Sequence, residues 1–240
     1  MVSKLFKKIT DKIYFKFIAF DYRIDRLIRY HDPKKYWEKR GGNTYFSEQE
    51  AELRRTLRSQ FIADHVRRLS YANLLEVGCG YGKQLKNLSS KKAKLIGCDF
   101  SRPQLMKAME YCQGLDIFPI EADAEALPFA SQSFDVVMSS AVVLHNEPQK
   151  AQKIISEMIR VTRKFLVHNE DTDVNFSRYG YDMARIYEAL GFPILVSEHI
   201  PYAPDPAITQ FTIVQIPDVS VEILPEKVPL RYHSKITAAL

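Results

Sequence analysis

The stretch from Leu74 to Gly82 constrains this chain more than any other part of it. Leu74 to Val77 is a short apolar run with the character of a buried strand. Glycines follow at positions 78, 80 and 82, and Lys83 to Leu88 has a helical pattern. A strand that turns through glycines into a helix presents bare backbone N–H groups, which suit a polar or anionic group of a nucleotide-like ligand. The sequence therefore predicts a ligand site at this turn.

An acidic residue at the turn narrows the kind of ligand. The glycine spacing is Gly-x-Gly-x-Gly rather than the Gly-x-Gly-x-x-Gly of dinucleotide-binding folds, and Glu76 stands just before the first glycine. A carboxylate there would repel a pyrophosphate but would attract an ammonium group. The loop alone is a weak signal, and a tight turn in another α/β domain stays an alternative at this point.

Length and cysteine content place the chain in a broad class. Its 240 residues fit one domain with an added terminal segment. We find no apolar run of membrane-spanning length and no secretory signal. The three cysteines lack metal-ligand spacing, so no metal site is predicted, and their small odd number suits reduced thiols in a cytoplasm.

Positive charge is concentrated at the beginning of the chain. Residues 1–40 hold twelve Lys or Arg and five Asp or Glu, whereas the remaining 200 residues hold twenty-two and twenty-four. The near-neutral body argues against a large nucleic-acid footprint, and no nucleic-acid partner is expected. The helical pattern over residues 3–30 leaves two interpretations open: peripheral contact of a basic helix with an anionic membrane, or a cap packed on the domain with its lysines solvated.

An aromatic stretch follows a helix break at Pro33. It includes Tyr36, Trp37 and Tyr45, and the Gly41-Gly42 pair within it can act as a hinge. These rings suit a lid over a planar or cationic ligand, and a hydrophobic plug between the leading helix and the core is an equal alternative. Arg40 is a candidate partner for a carboxylate, although an ordinary surface arginine is an equal interpretation.

Strands and helices alternate through the rest of the chain. A Ser-x-x-Glu capping box at Ser47 predicts a helix, and the later strands are predicted over residues 94–98, 117–121, 133–140, 165–171, 196–202 and 209–216. This alternation predicts a parallel sheet with helices on both faces, in which ligands bind at the carboxyl ends of the strands. Asp99 stands 21 residues beyond Gly78, a spacing typical of an acid that accepts hydrogen bonds from ribose hydroxyls.

Four motifs follow one another along the chain: residues 76–82 (EVGCGYG), Asp99, residues 122–129 (ADAEALPF) and residues 133–137 (SFDVV). In this order they resemble the motifs of the class I S-adenosylmethionine-dependent methyltransferases. The resemblance covers roughly residues 70–170 and is nearest to the small-molecule branch that includes ubiquinone/menaquinone- and sterol-type enzymes.

The resemblance implies a fold, a cofactor and a set of site residues. The implied fold is α/β: a Rossmann-like, seven-stranded, mostly parallel sheet with a reversed last strand, helices on both faces and, here, an N-terminal helical cap. The cofactor would be S-adenosyl-L-methionine, with Asp99 on its ribose, Phe100 beside its adenine and Asp123 on the adenine amino group. The full set of cofactor-binding residues so implied is Glu76, Gly78, Cys79, Gly80, Asp99, Phe100, Asp123, Ala124 and Ser140.

The chain also departs from that family. An apolar-His-His run is usual after the fourth strand, but Leu144-His145-Asn146 stands here, and the glycine turn before the fifth strand is missing. The Asn-Pro-Pro-Tyr type motif of adenine-N6 DNA enzymes is absent, which lowers the expectation of a nucleic-acid substrate.

His145 is the candidate general base. It is titratable near neutrality and follows the fourth strand, although a histidine that only orders its loop is an equal interpretation. His168, Glu170 and Asp171 are second choices. Candidate acceptor-binding residues are Tyr36, Trp37, Arg40, Tyr45, His168, Asn169, Arg178 and Tyr181, with helix-surface packing equally plausible for the last two.

The sequence thus predicts three regions and one main function. The regions are a basic cap or lid over residues 1–46, a cofactor-binding domain over 47–216 and an extension over 217–240. The predicted function is methyl transfer to a small-molecule acceptor. The alternatives are a membrane-associated enzyme for a lipid-linked acceptor and a non-catalytic cofactor-binding module. Neither the identity of the acceptor nor the oligomeric state follows from the sequence.

Overall fold

A computed structural model describes most of the chain. The described residues are 32–41, 45–89, 92–173, 178–203, 206–217, 223 and 225–230. The basic helix predicted over residues 3–30, Gly42 of the glycine pair and most of the segment 217–240 lie outside the described residues.

A seven-stranded sheet forms the centre of the molecule. Its strands are β1 (Asn73–Val77), β2 (Lys94–Asp99), β3 (Ile117–Glu121), β4 (Phe134–Ser140), β5 (Thr162–Asp171), β6 (Ile194–His199) and β7 (Thr209–Gln215). Their spatial order is β3-β2-β1-β4-β5-β7-β6. The first five strands pair in parallel, and β7 runs antiparallel to both of its neighbours, β5 and β6. The Rossmann-like fold with a reversed last strand, predicted from the sequence, is confirmed.

Helices connect these strands and cover the sheet. They are α1 (Pro33–Gly41), α2 (Tyr45–Ala51), α3 (Leu53–Arg67), α4 (Lys83–Leu88), α5 (Arg102–Tyr111), α6 (Pro148–Val161) and α7 (Met183–Ala189), with short 3-10 helices at Val143–His145 and Pro225–Lys227. One hydrophobic core contains side chains of α6 and α7, and the other contains side chains of α3 and α4.

The central strands contribute side chains to both cores because alternate side chains of a strand point to opposite faces of the sheet. In β1, Leu74 belongs to the core beside α3, whereas Leu75 belongs to the core beside α6. In β4, Val136 and Val137 divide in the same way. All four side chains are fully buried, as expected of parallel strands that are covered on both faces.

The helix predicted from the Ser47 capping box differs from the one observed. The helix begins at Tyr45, and an extended residue, Glu52, separates it from α3. Phe46 packs edge-on against Tyr81 at a ring-centroid distance of 5.0 Å. This tertiary contact favours a helix that begins before Ser47. Tertiary packing therefore overrides the capping signal at this point.

The sixth strand lies earlier in the chain than predicted. It covers Ile194–His199, where residues 196–202 were expected. Ile200 still donates its backbone N–H to Thr209 of β7, but its carbonyl oxygen accepts the Ala203 N–H of the turn that ends the strand. Within the part of the chain that the structure describes, no helix combines the length and apolar character needed to cross a lipid bilayer.

Candidate functional site

The glycine turn between β1 and α4 forms one wall of a cavity of about 410 Å³ at the carboxyl ends of the strands. Gly78 and Gly80 both lie on this wall with left-handed backbone, at φ values of 67° and 53°. A Cβ atom on Gly78 would lie 2.4 Å from a methyl carbon of Val142, so the turn has no room for a side chain there. The bare backbone is therefore available to a ligand.

Asp99, the last residue of β2, holds this turn in place. Its Oδ2 accepts a hydrogen bond from the Gly80 backbone N–H at 2.9 Å, and its Oδ1 accepts one from the Ser101 N–H at 2.8 Å. Burial raises the pKa of the carboxyl group, and the backbone donors oppose that shift. Since a carboxylate oxygen can accept more than one hydrogen bond, Asp99 keeps acceptor capacity towards the cavity that it lines.

Glu76 presents a buried acceptor without a partner. It lies on the cavity wall, it is 3% exposed, and its Oε2 has no hydrogen bond within the described part of the chain. Burial raises the pKa of this carboxyl group well above its usual range, and the negative field of Asp99 adds to the shift. A cationic donor in the cavity would satisfy Oε2 and stabilise the charged carboxylate.

Aromatic side chains from α1 and α2 meet His145 on the cavity wall. The Trp37 ring lies 5.3 Å from the His145 ring and 5.7 Å from the Tyr45 ring, both in edge-on geometry. All three residues line the cavity, and Arg40 stacks over Tyr45 with its Cζ atom 5.3 Å from the ring centroid. The chain segment before the sheet therefore contributes directly to this site.

Glu170 fixes the 3-10 helix that carries His145. Its carboxylate accepts hydrogen bonds from the backbone N–H groups of Val142, Val143 and Leu144 at 3.1 to 3.2 Å. Burial raises its pKa to about 7, against the opposing effect of these donors. Glu170 acts on the site through the loop that it holds, since it does not line the cavity.

His168 lies inside the protein, away from the cavity wall. It is fully buried, with Nδ1 3.0 Å from the Ser139 hydroxyl and Nε2 2.8 Å from the Tyr187 hydroxyl. Burial lowers its pKa to about 3, so the ring is neutral at physiological pH. Both ring nitrogens have hydrogen-bond partners inside the protein. This placement therefore gives no support to a contact between His168 and the acceptor molecule.

Two other predicted acceptor residues also lie behind the wall. The Asn169 side-chain amide donates to the Ser140 hydroxyl at 2.8 Å, and Ser140 itself lines the cavity. The buried Tyr181 hydroxyl donates to the Asn146 carbonyl oxygen at 2.7 Å. Both residues support parts of the wall from within the protein.

The structure brings most of the predicted site residues to one cavity. The predicted residues on its wall are Glu76, Gly78, Cys79, Gly80, Asp99, Phe100, Ala124, Ser140, His145, Trp37, Arg40, Tyr45 and Arg178. The predicted residues away from the wall are Tyr36, Asp123, His168, Asn169, Glu170, Asp171 and Tyr181. The exposed Asp123 accepts the Glu125 backbone N–H at 2.9 Å through its own Oδ1, which accounts for its position.

Sequence reasoning did not single out the part of the wall contributed by α3. Arg55 and Arg58 of this helix line the cavity together with Ser59. A spacing of three residues places Arg55 and Arg58 on one helix face, but only the tertiary fold shows which face meets the cavity.

The sequence of the central region matches a known domain. Residues 74–164 match the family model described as "Methyltransferase domain". A demethylmenaquinone methyltransferase of Renibacterium salmoninarum is 32% identical over 105 residues, which cover 43% of this chain and 42% of that protein. Phthiotriol/phenolphthiotriol dimycocerosates methyltransferase 1 of Mycobacterium ulcerans is 35% identical over 105 residues, covering 42% and 37% respectively. The chain thus spans less than half the length of these curated relatives.

The fold is also similar to that of solved methyltransferases. The N-methyltransferase NodS from Bradyrhizobium japonicum, solved with S-adenosyl-L-homocysteine, matches with a TM-score of 0.66 at 13% identity. The match covers 77% of this chain and 98% of NodS, and at this identity it concerns the fold alone. The domain match over residues 74–164 covers the glycine turn and runs from β1 to the start of β5. Residues 74–164 are therefore similar to a methyltransferase domain, and the chain shares its fold with solved methyltransferases.

Proposed function

We propose that this protein transfers a methyl group from S-adenosyl-L-methionine to a small-molecule acceptor. The domain match supports the reaction type. The two relatives are named for methyl transfer to demethylmenaquinone and to phthiotriol compounds, and both names support an acceptor of low molecular weight. The S-adenosyl-L-homocysteine in the NodS structure supports the choice of cofactor.

The unpartnered Oε2 of Glu76 is the observation that carries the proposal. S-adenosylmethionine has an α-ammonium group, which would donate to this buried acceptor beside the bare Gly78–Gly80 backbone. A diphosphate ligand would instead bring negative charge towards Glu76, which lies on the wall beside the glycine turn. The charges of the wall therefore favour the sulfonium cofactor over a dinucleotide.

We assign the remaining cofactor contacts to residues that line the cavity wall or lie next to a lining residue in the chain. Asp99 would accept hydrogen bonds from the ribose hydroxyls, and Phe100, the next residue, would lie against the adenine ring. Ala124 would contribute backbone beside the adenine, with Asp123 preceding it in the same turn. Cys79 and Ser140 would line the methionine end.

The protein's own residues would orient the acceptor and exclude water. When bound, the cofactor supplies a methyl group on a sulfonium, which is a good leaving group, so positioning and desolvation are the main demands on the protein. Trp37 and Tyr45 would exclude water from the reacting centre, and His145, which packs against Trp37, would accept the proton that a hydroxyl or amine acceptor loses.

The cysteines support a reducing compartment such as the cytoplasm. Cys79, Cys98 and Cys112 are all buried free thiols. Burial raises the pKa of the Cys98 thiol to about 12, so it stays protonated and poorly reactive at neutral pH. This agrees with thiols that serve in packing.

Incubation with methyl-labelled S-adenosylmethionine and a fractionated cell extract tests the proposal. We expect label to appear in a compound of low molecular weight, identified by its mass increase of one methylene. Glu76→Gln should strongly reduce labelling because the amide cannot pair with the ammonium group as a carboxylate does. Glu110→Gln, on the exposed end of α5, is the matched control and should label like wild type.

Two outcomes would contradict the proposal. Label that appears only in RNA or protein would exclude a small-molecule acceptor. Retained cofactor binding without transfer to any fraction would favour a non-catalytic binding module instead.

A further inference from the structure

Cationic side chains gather on one part of the cavity wall. Four guanidinium groups and one ammonium group belong to lining residues: Arg40, Arg55, Arg58, Arg178 and Lys83. The acidic lining residues are Glu76 and Asp99, which the proposed cofactor site already uses. The cavity wall therefore carries five cationic side chains against two acidic ones.

Most of these cations have carboxylate partners in the protein. Arg40 pairs with Glu48 at 2.8 Å, and Arg178 pairs with the buried Asp171 at 2.9 Å. A carboxylate that is bound in this way neutralises its partner and holds the side chain in one position.

Two further cations on the wall are paired as well. Lys83 lies 2.9 Å from Glu50, and Arg55 pairs with Glu52. Each of these ion pairs is formed within or next to the helices around the glycine turn. The charges of Lys83 and Arg55 are therefore balanced by the protein itself, without a ligand.

Arg58 differs from these four residues. Within the described residues it forms no ion pair and no hydrogen bond, although it is only partly exposed. Burial, and then the positive charge of Arg55, lower the pKa of the Arg58 guanidinium. A partly desolvated guanidinium without a partner is costly, and an anion in the cavity would remove that cost.

The position of Arg58 relates it to the proposed reaction centre. Burial raises the pKa of Tyr45, and the positive charges of Arg55, Arg40 and Arg58 oppose that shift, so all three act on the Tyr45 phenol. Tyr45 packs against Trp37, which in turn packs against His145. Arg58 therefore lies near Tyr45, which belongs to the same aromatic cluster as His145.

We propose that Arg58 binds an anionic oxygen group, a carboxylate or a phosphate, on the methyl acceptor. The inference rests on the proposed function, because it assigns the second ligand of the same cavity. Arg178, held by Asp171, borders the same anion site. The acceptor is accordingly an acid, and its charged group is held by the guanidinium fork while its nucleophile faces the methyl group.

The test is a calorimetric titration of the S-adenosylhomocysteine-saturated protein with inorganic phosphate and, in parallel, with acetate. We expect at least one of the two anions to bind. The tighter-binding anion shows whether the site prefers a phosphate or a carboxylate group. Arg58→Met should weaken that binding by about tenfold or more, because a charge-assisted pair is lost. Arg58→Lys should keep part of the affinity, since the charge remains but the fork is lost.

Arg54→Met is the matched control, because Arg54 is an exposed arginine of the same helix outside the cavity. It should bind the anion as wild type does. The proposal is overturned if neither anion binds, or if Arg58→Met and Arg54→Met behave alike. It is also overturned if Arg58→Met weakens the binding of S-adenosylhomocysteine but leaves the binding of adenosine unchanged. Arg58 would then hold the carboxylate of the cofactor.

The first step of this titration separates the two proposals. Failure of the wild-type protein to bind S-adenosylhomocysteine would contradict the proposed function and the inference with it. Normal cofactor binding without anion binding would contradict the inference alone.

Discussion

At the residue scale, Asp99 serves both the fold and the proposed cofactor site. It accepts hydrogen bonds from Gly80 and Ser101 and also lines the cavity. Asp99→Ala should weaken S-adenosylhomocysteine binding by about 2 kcal/mol, because a ribose hydroxyl loses a charged acceptor and the Gly80 turn loses its anchor. Isothermal calorimetry measures this loss. Asp116→Ala, at an exposed position, serves as the control. Equal affinities of the two variants would show that Asp99 does not contact the cofactor.

His168 gives a pH-dependent prediction at the same scale. Its pKa falls from 6.5 to about 3 on folding because of burial, so between these pH values the unfolded chain binds a proton that the folded protein does not. Stability that is present above pH 6.5 is therefore lost as the pH falls, with a slope approaching about 1.4 kcal/mol per pH unit.

The comparison of wild type with His168→Gln isolates this effect. Denaturant unfolding at several pH values should show that the stability advantage of wild type shrinks between pH 6.5 and 3. A constant difference across that range would show that the folded protein binds the proton at His168.

At the element scale, the 3-10 helix Val143–His145 depends on one buried carboxylate. Glu170→Ala removes the acceptor of three backbone N–H groups and of the Ser139 hydroxyl. We expect the free energy of unfolding to fall by about 3 kcal/mol, because several buried donors lose their charged partner. Chemical denaturation measures the change, with the exposed Glu188→Ala as the control. Equal stability of the two variants would mean that the loop is held by other contacts.

Helix α1 gives a second prediction at this scale, because it carries the only tryptophan of the chain. Trp37 lies on the cavity wall against His145 and Tyr45, so its fluorescence should change when S-adenosylhomocysteine is added. A chain without residues 1–46 should keep a folded sheet and lose methyl transfer. Unchanged fluorescence at saturating ligand, together with full activity of the shortened chain, would show that this segment is an appendage.

Sequence reasoning succeeded for local features of these elements. The glycine turn and the strand before it were predictable because alternate glycines and a short apolar run act over a few residues. It could not determine where the polar residues at the end of β5 lie relative to the cavity. His168 and Asn169 have the composition of a substrate site, but β5 lies inside the sheet between β4 and β7, and both residues are buried there.

At the scale of the whole molecule, the cavity combines segments that are distant in sequence. The predicted sheet and the family resemblance placed the carboxyl ends of the strands together, which located Glu76 and Asp99 at one site. Arg58 could not be located in this way, because its contribution depends on how α3 packs against the sheet. Long-range packing of that kind leaves no pattern in a single sequence.

The central claim is that this cavity binds S-adenosylmethionine, and direct calorimetric titration tests it most simply. Purified protein should bind S-adenosylmethionine and S-adenosylhomocysteine with dissociation constants in the micromolar range, about −8 kcal/mol. NAD should not bind, because its pyrophosphate would meet the carboxylate of Glu76 beside the glycine turn. Tight binding of NAD without binding of either sulfur-containing ligand would contradict the account.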